Sequence, residues 1–110
     1  STPFRVKSIA FTQNPTTQIS AVQVPAGAVV EAATVEVTTA AAGSVSFGAG
    51  TPLTLTSFCN AAATTTAGFQ VCSTTLAINV GSAAVAIQYQ TSNTAVTGFL
   101  SVFYILAGGN

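Results

Sequence analysis

Apolar side chains recur at every second position along most of the chain, the repeat of a β-strand whose two faces meet different surroundings. In AATVEVTTA, Ala33, Val35 and Val37 point one way while Thr34, Glu36 and Thr38 point the other, which predicts a strand with one buried and one wet face. The segment AAVAIQYQ repeats the pattern, with Val85, Ile87 and Tyr89 inward and Ala84, Ala86, Gln88 and Gln90 outward. A polar connection, TSNTAVTG, then leads into GFLSVFYILAGGN, where the alternation fails. Leu100, Val102, Tyr104 and Leu106 fall on one face and Phe99, Ser101, Phe103 and Ile105 on the other, so both faces are greased. Such a strand does not leave a face in water. One face is expected to fill the core and the other to meet a loop, a sister subunit or a second protein.

Shorter runs between Gly, Pro and Asn breaks predict further strands: FRVKSIAF, QISAVQV before Pro25, SVSF between Gly43 and Gly48, LTLTSF after Pro52, FQVCST, and LAINV before Gly81. About eight strands at short intervals define an all-β fold, a single-domain antiparallel β-sandwich of jelly-roll-like form spanning residues 1–110. A chain of 110 residues suits one hydrophobic core. The stretches TTAAAGS around Ala41 and NAAATTTAG around Thr65 read as loops of small side chains, with a short helical turn as the alternative.

Composition narrows the function. Hydrophobic residues make up 49% of the chain and charged residues 4%, so the polar surface is built from Thr, Ser, Asn and Gln. Arg5 and Lys7 are the cations, Glu31 and Glu36 the anions. That leaves no basic footprint for nucleic acid and no polybasic patch for an anionic membrane. The apolar run from Phe99 to Ala107 is about half the roughly 20 residues of a membrane helix, and the opening STPFRVK is not patterned as a signal peptide. With neither His nor Asp, the chain assembles no Ser-His-Asp arrangement and supplies no imidazole as base or ligand. Glu31 and Glu36, five apart on one strand, are expected on opposite faces, and Lys7 shares a face with Arg5. Two cysteines without His do not make a structural zinc site, and no phosphate-binding glycine motif occurs. No catalytic, cofactor-binding or metal site is expected, and the chain does not read as an enzyme.

Cys59 and Cys72 have two readings. As a disulfide they close a loop of about 14 residues, a constraint of roughly 3 kcal/mol in the chain-entropy model; as thiols they are buried beside Phe58 and Val71. Most of the seven Phe are expected in the core. Residues 1–7 hold both cations and read either as the start of an ordinary first strand or as an arm anchored on an acidic surface.

The turn and strand QVPAGAVVEAATVEVTTA resemble a family of small head decoration or cement proteins of tailed bacteriophages, and the closing AVAIQYQTSNTAVTGFLSVFYILAGG resembles their last pair of strands. The likeness takes in about two thirds of the chain and carries no catalytic signature. It implies a β-sandwich made in the host cytoplasm and placed on the outer surface of the virion. There it would bridge neighbouring copies of the major capsid protein, commonly as a homotrimer. No site residue is carried over from the family; the candidate contacts come from the residues themselves, Phe99, Phe103 and Ile105 on one greased face of the last strand and the cations Arg5 and Lys7 near the N-terminus. The alternative from a different class is a receptor- or carbohydrate-binding sandwich of a tail fibre or cell surface, which needs an exposed aromatic platform. A shell-forming subunit is a third reading, disfavoured by the lack of basic residues to face a genome.

Overall fold

The computed structural model describes residues 4–51, 53–73 and 76–106. The strands are β1 (Arg5–Thr12), β2 (Gln18–Val24), β3 (Ala28–Thr39), β4 (Ser44–Ala49), β5 (Cys59–Ala63), β6 (Gly68–Ser73), β7 (Ile78–Asn79), β8 (Val85–Thr91) and β9 (Thr97–Leu106). They form two antiparallel sheets, one ordered β1-β9-β3-β6 with β7 also paired to β3, the other β2-β8-β4-β5. Each early strand pairs with a late one: β1 with β9, β2 with β8, β3 with β6, β4 with β5. This is a long hairpin folded over itself, its limbs alternating between two layers, which is the jelly-roll form of the β-sandwich.

Alternation explains the layers. In β8, Val85, Ile87 and Tyr89 are buried, and in β9 Leu100, Val102 and Tyr104 are, as the period of two requires. The core between the sheets is closed by edge-to-face aromatic pairs, Phe11 with Tyr89 at 6.1 Å and Phe47 with Phe58 at 5.9 Å between ring centroids. The PAGA turn joins β2 to β3. Ala28 N–H donates to Pro25 O at 3.2 Å, and Gly27 at φ 78 takes the left-handed position of a type II turn, where a side chain is disfavoured.

Several local expectations are corrected. LTLTSF is not a strand: Ser57 N–H donates to Thr54 O at 3.1 Å and Thr54 N–H to Ser57 Oγ at 2.8 Å, so hydroxyl and backbone partners hold it as turns. Phe58 ends it as a core anchor, 2% exposed. CNAAA, by contrast, is strand β5 rather than loop. Its alternation is hidden because Ala61 adopts φ 56 and the register with β4 shifts between Val45 and Phe47. LAINV contributes only Ile78 and Asn79 to a sheet. In β3 the register shifts between Val30 and Ala32, so Ala28 and Val30 before the bulge and Ala33, Val35 and Val37 after it are all buried. The inserted residue removes the parity that set Glu31 and Glu36 on opposite faces; they still lie at different levels of the sheet, Glu36 opposite Phe99 and Glu31 beyond the Ala32–Phe103 pair.

Candidate interaction surface

The two sheets turn very different outer faces to the surroundings. On the β1-β9-β3-β6 sheet, antiparallel register sets side chains in rows with neighbours about 5 Å apart. One row runs Ala10, Phe99, Glu36, Phe69; the next Ser8, Ser101, Thr34, Val71; the third Val6, Phe103, Ala32. Phe69 is 66% exposed, Val71 55%, Val6 51% and Phe99 46%. Phe103 and Ile105 are half-buried on the same face. The face is thus apolar, with a hydroxyl seam in the middle where Ser8 Oγ and Ser101 Oγ lie 2.7 Å apart, and a carboxylate, Glu36, between two phenyl rings.

The outer face of the β2-β8-β4-β5 sheet is polar and uncharged. Ser46 sits opposite Gln90, and Gln88 between Ile19 and Gly48. Gln90 is tied down, its Nε2 donating to Pro15 O at 2.6 Å. Ile19 is the large exposed hydrophobic residue on this side. Water suits such a face; it does not suit the other.

Of the residues singled out in the sequence, Phe99, Phe103 and Ile105 come together on the apolar face. Arg5 and Lys7 do not join them. They pair with Tyr104 and Val102, whose side chains are buried, so both cations take the inward parity of β1 at its open end. Lys7 lines a shallow groove there with Val22, Gln23, Pro25, Ala84 and Tyr104. Arg5 to Lys7 open β1 as an ordinary first strand, while residues 1–3 of the supposed arm lie outside the described residues. Cys59 of β5 and Cys72 of β6 are joined as a disulfide with Cα atoms 5.5 Å apart, which ties the edge of one sheet to the edge of the other.

Sequence reasoning missed Phe4, Val6, Phe69 and Val71 as surface residues, and the expectation that most Phe are internal is corrected. Phe11, Phe47 and Phe58 are core, whereas Phe4, Phe69 and Phe99 are exposed and Phe103 is half-buried. A signal was present. In FRVKSIAF the apolar positions switch parity from 4 and 6 to 9 and 11, and β1 runs without a bulge, so its first half must turn apolar side chains outward. No group of three or more His, Cys, Asp or Glu able to hold a metal occurs among the described residues.

No family model matches the sequence, and no curated protein matches it. Solved structures do match in fold. A chain of the acidic stable capsid structure of Helicobacter pylori bacteriophage KHP30 superposes with a TM-score of 0.69 and 18% identity, over 94% of this chain and 87% of that one. A chain of the cyanophage Pam1 capsid asymmetric unit superposes with a TM-score of 0.66 and 22% identity, over 94% and 84%. Coverage this high on both sides means that the matched chains are close to this one in length. The shared property is the fold.

Proposed function

We propose that this chain is a structural, non-catalytic virion protein that decorates the outer surface of a tailed-phage head and cements it by bridging neighbouring major capsid proteins, as a homotrimer. One observation carries the reading: a sandwich of the fold found in two phage capsid structures has one apolar outer face and one uncharged polar outer face. A monomer in water is poorly served by a sheet face bearing Phe69, Val71, Phe99 and Val6; a protein clamped between a capsid and the medium needs that asymmetry. The similar length of the matched chains fits an accessory subunit. The carbohydrate-binding alternative has phenyl rings to offer but no exposed tyrosine: Tyr89 and Tyr104 are 8% and 4% exposed and stand in the core, and Phe69 and Phe99, exposed on the apolar face, are separated by Glu36.

The test is binding of the purified protein to expanded heads assembled from the major capsid protein of the phage that carries its gene. Saturable occupancy is expected. Phe99→Asp, which puts a charge on the apolar face while leaving the core intact, should weaken binding about tenfold or more without loss of the fold. Occupancy unchanged in Phe99→Asp, or no occupancy by the native chain, rejects the reading.

A further inference from the structure

The place of Glu36 in the sheet register surrounds a carboxylate with apolar neighbours. It stands exposed in the row Ala10, Phe99, Glu36, Phe69, with a phenylalanine on each side at the roughly 5 Å spacing of paired strands. Phe99 and Phe69 are 46% and 66% exposed, so both rings are open to a ligand. Hydroxyl pairs border the row on either side: Ser8 Oγ with Ser101 Oγ at 2.7 Å, and Thr38 Oγ1 with Thr97 Oγ1 at 2.8 Å. A hydroxyl engaged in one such bond keeps lone-pair capacity to accept another. The chain's own cations do not share this face, because Arg5 and Lys7 lie opposite Tyr104 and Val102 on the inward parity of β1. A protein that covers Phe69 and Phe99 therefore takes Glu36 out of water with them, and a carboxylate desolvated without a cation opposes the contact.

We propose that the Phe99–Glu36–Phe69 row is a socket for one arginine side chain of the protein against which this face docks. The occupant is an apolar protein surface bearing a guanidinium. It is not a second copy, whose single arginine, Arg5, takes the inward parity of β1. A guanidinium matches the row in three ways: its planar fork takes both carboxylate oxygens, its face stacks on a phenyl ring, and its remaining N–H groups donate to the bordering hydroxyls. It is also more weakly hydrated than an ammonium, so lysine, a compact and strongly hydrated point charge, fits less well. The inference deepens the decoration reading and rests on it for naming the partner as a capsid surface. Glu36 then supplies the selectivity, since the apolar rows beside it accept any greasy patch and an unpaired carboxylate rejects those without a cation.

Two measurements on the whole chain test it, with circular dichroism to verify the fold of each variant. In head binding, Glu36→Gln should weaken occupancy about tenfold and Glu36→Lys about a hundredfold or more, while Glu31→Gln, which removes the other carboxylate, should leave it unchanged. In an amide-shift titration by nuclear magnetic resonance, N-acetylarginine amide should move the signals of Glu36, Phe69 and Phe99 saturably and the lysine counterpart much less, and neither should do so in Glu36→Gln. Occupancy indifferent to Glu36→Gln, an equal loss in Glu31→Gln, or no preference for the arginine derivative overturns the proposal. So does self-association of the chain alone, read by sedimentation equilibrium, that Glu36→Gln weakens, because it puts a second copy in the socket. Arginine-selective shifts in a chain that never coats heads defeat the decoration role alone, and heads coated equally well whatever stands at position 36 defeat the socket alone.

Discussion

Gly98 shows how closely the sheets and their strands are fitted. It lies in β9 between Phe11 of β1 and Val37 of β3, and a methyl group there would run into the carbonyl oxygen of Glu36 and the ring of Phe11. Because the obstacle on one side is backbone, Gly98→Ala should destabilise the fold by about 2 kcal/mol or more, read as a lower midpoint in urea with an unchanged slope. Ala61 presents the opposite case. It holds φ 56, a conformation that costs an L-residue roughly 1 kcal/mol, so Ala61→Gly should be neutral or stabilising by up to about 1 kcal/mol where glycine in a strand normally weakens it. A loss of about 1 kcal/mol in Ala61→Gly would contradict that account.

Among the elements, legibility in the sequence followed the regularity of the alternation. β8 and β9 announce their inward sets because both are central strands whose buried positions are large and unbroken. β5 is an edge strand of Asn and Ala with a left-handed residue, so nothing in its side chains distinguishes it from a loop; its place is set by Cys59 and by pairing with β4. LTLTSF alternates well yet is held in turns by Thr54 and Ser57, local hydroxyl bonds prevailing over period. Of the candidate site, β9 was readable because both its faces are apolar, whereas Phe69 and Val71 of β6 were not, since Cys72 on the opposite parity is also a hydrophobe and leaves the inward side ambiguous. The disulfide between β5 and β6 joins sheet edges that no ladder connects. Its reduction should lower stability by about 3 kcal/mol while leaving strand content in place below the new midpoint. Under denaturing, non-reducing conditions no thiol should react; after reduction both should.

For the whole molecule, the scarcity of ionisable groups governs how it responds to its medium. No histidine is present, and histidine is the side chain whose ordinary titration falls between about pH 5 and 8. Thermal stability and head occupancy should therefore be nearly flat across that window, and a step of more than a few degrees in melting temperature would point to a group outside this chain's own inventory. The polar face gains its solubility from amides and hydroxyls, which salt does not screen, so dispersal should be equally indifferent to ionic strength.

The central position of β9 also fixes when the molecule can come into being. It lies between β1 and β3, so β1 has its partner in a strand synthesised after every other described strand of the sandwich. Until then β1 and β3 lack the strand that separates them, and their apolar side chains wait unpaired in the nascent chain. Folding of the sandwich is thereby postponed until β9 has left the ribosome, and a chain cut short before β9 is an adhesive fragment rather than a smaller domain.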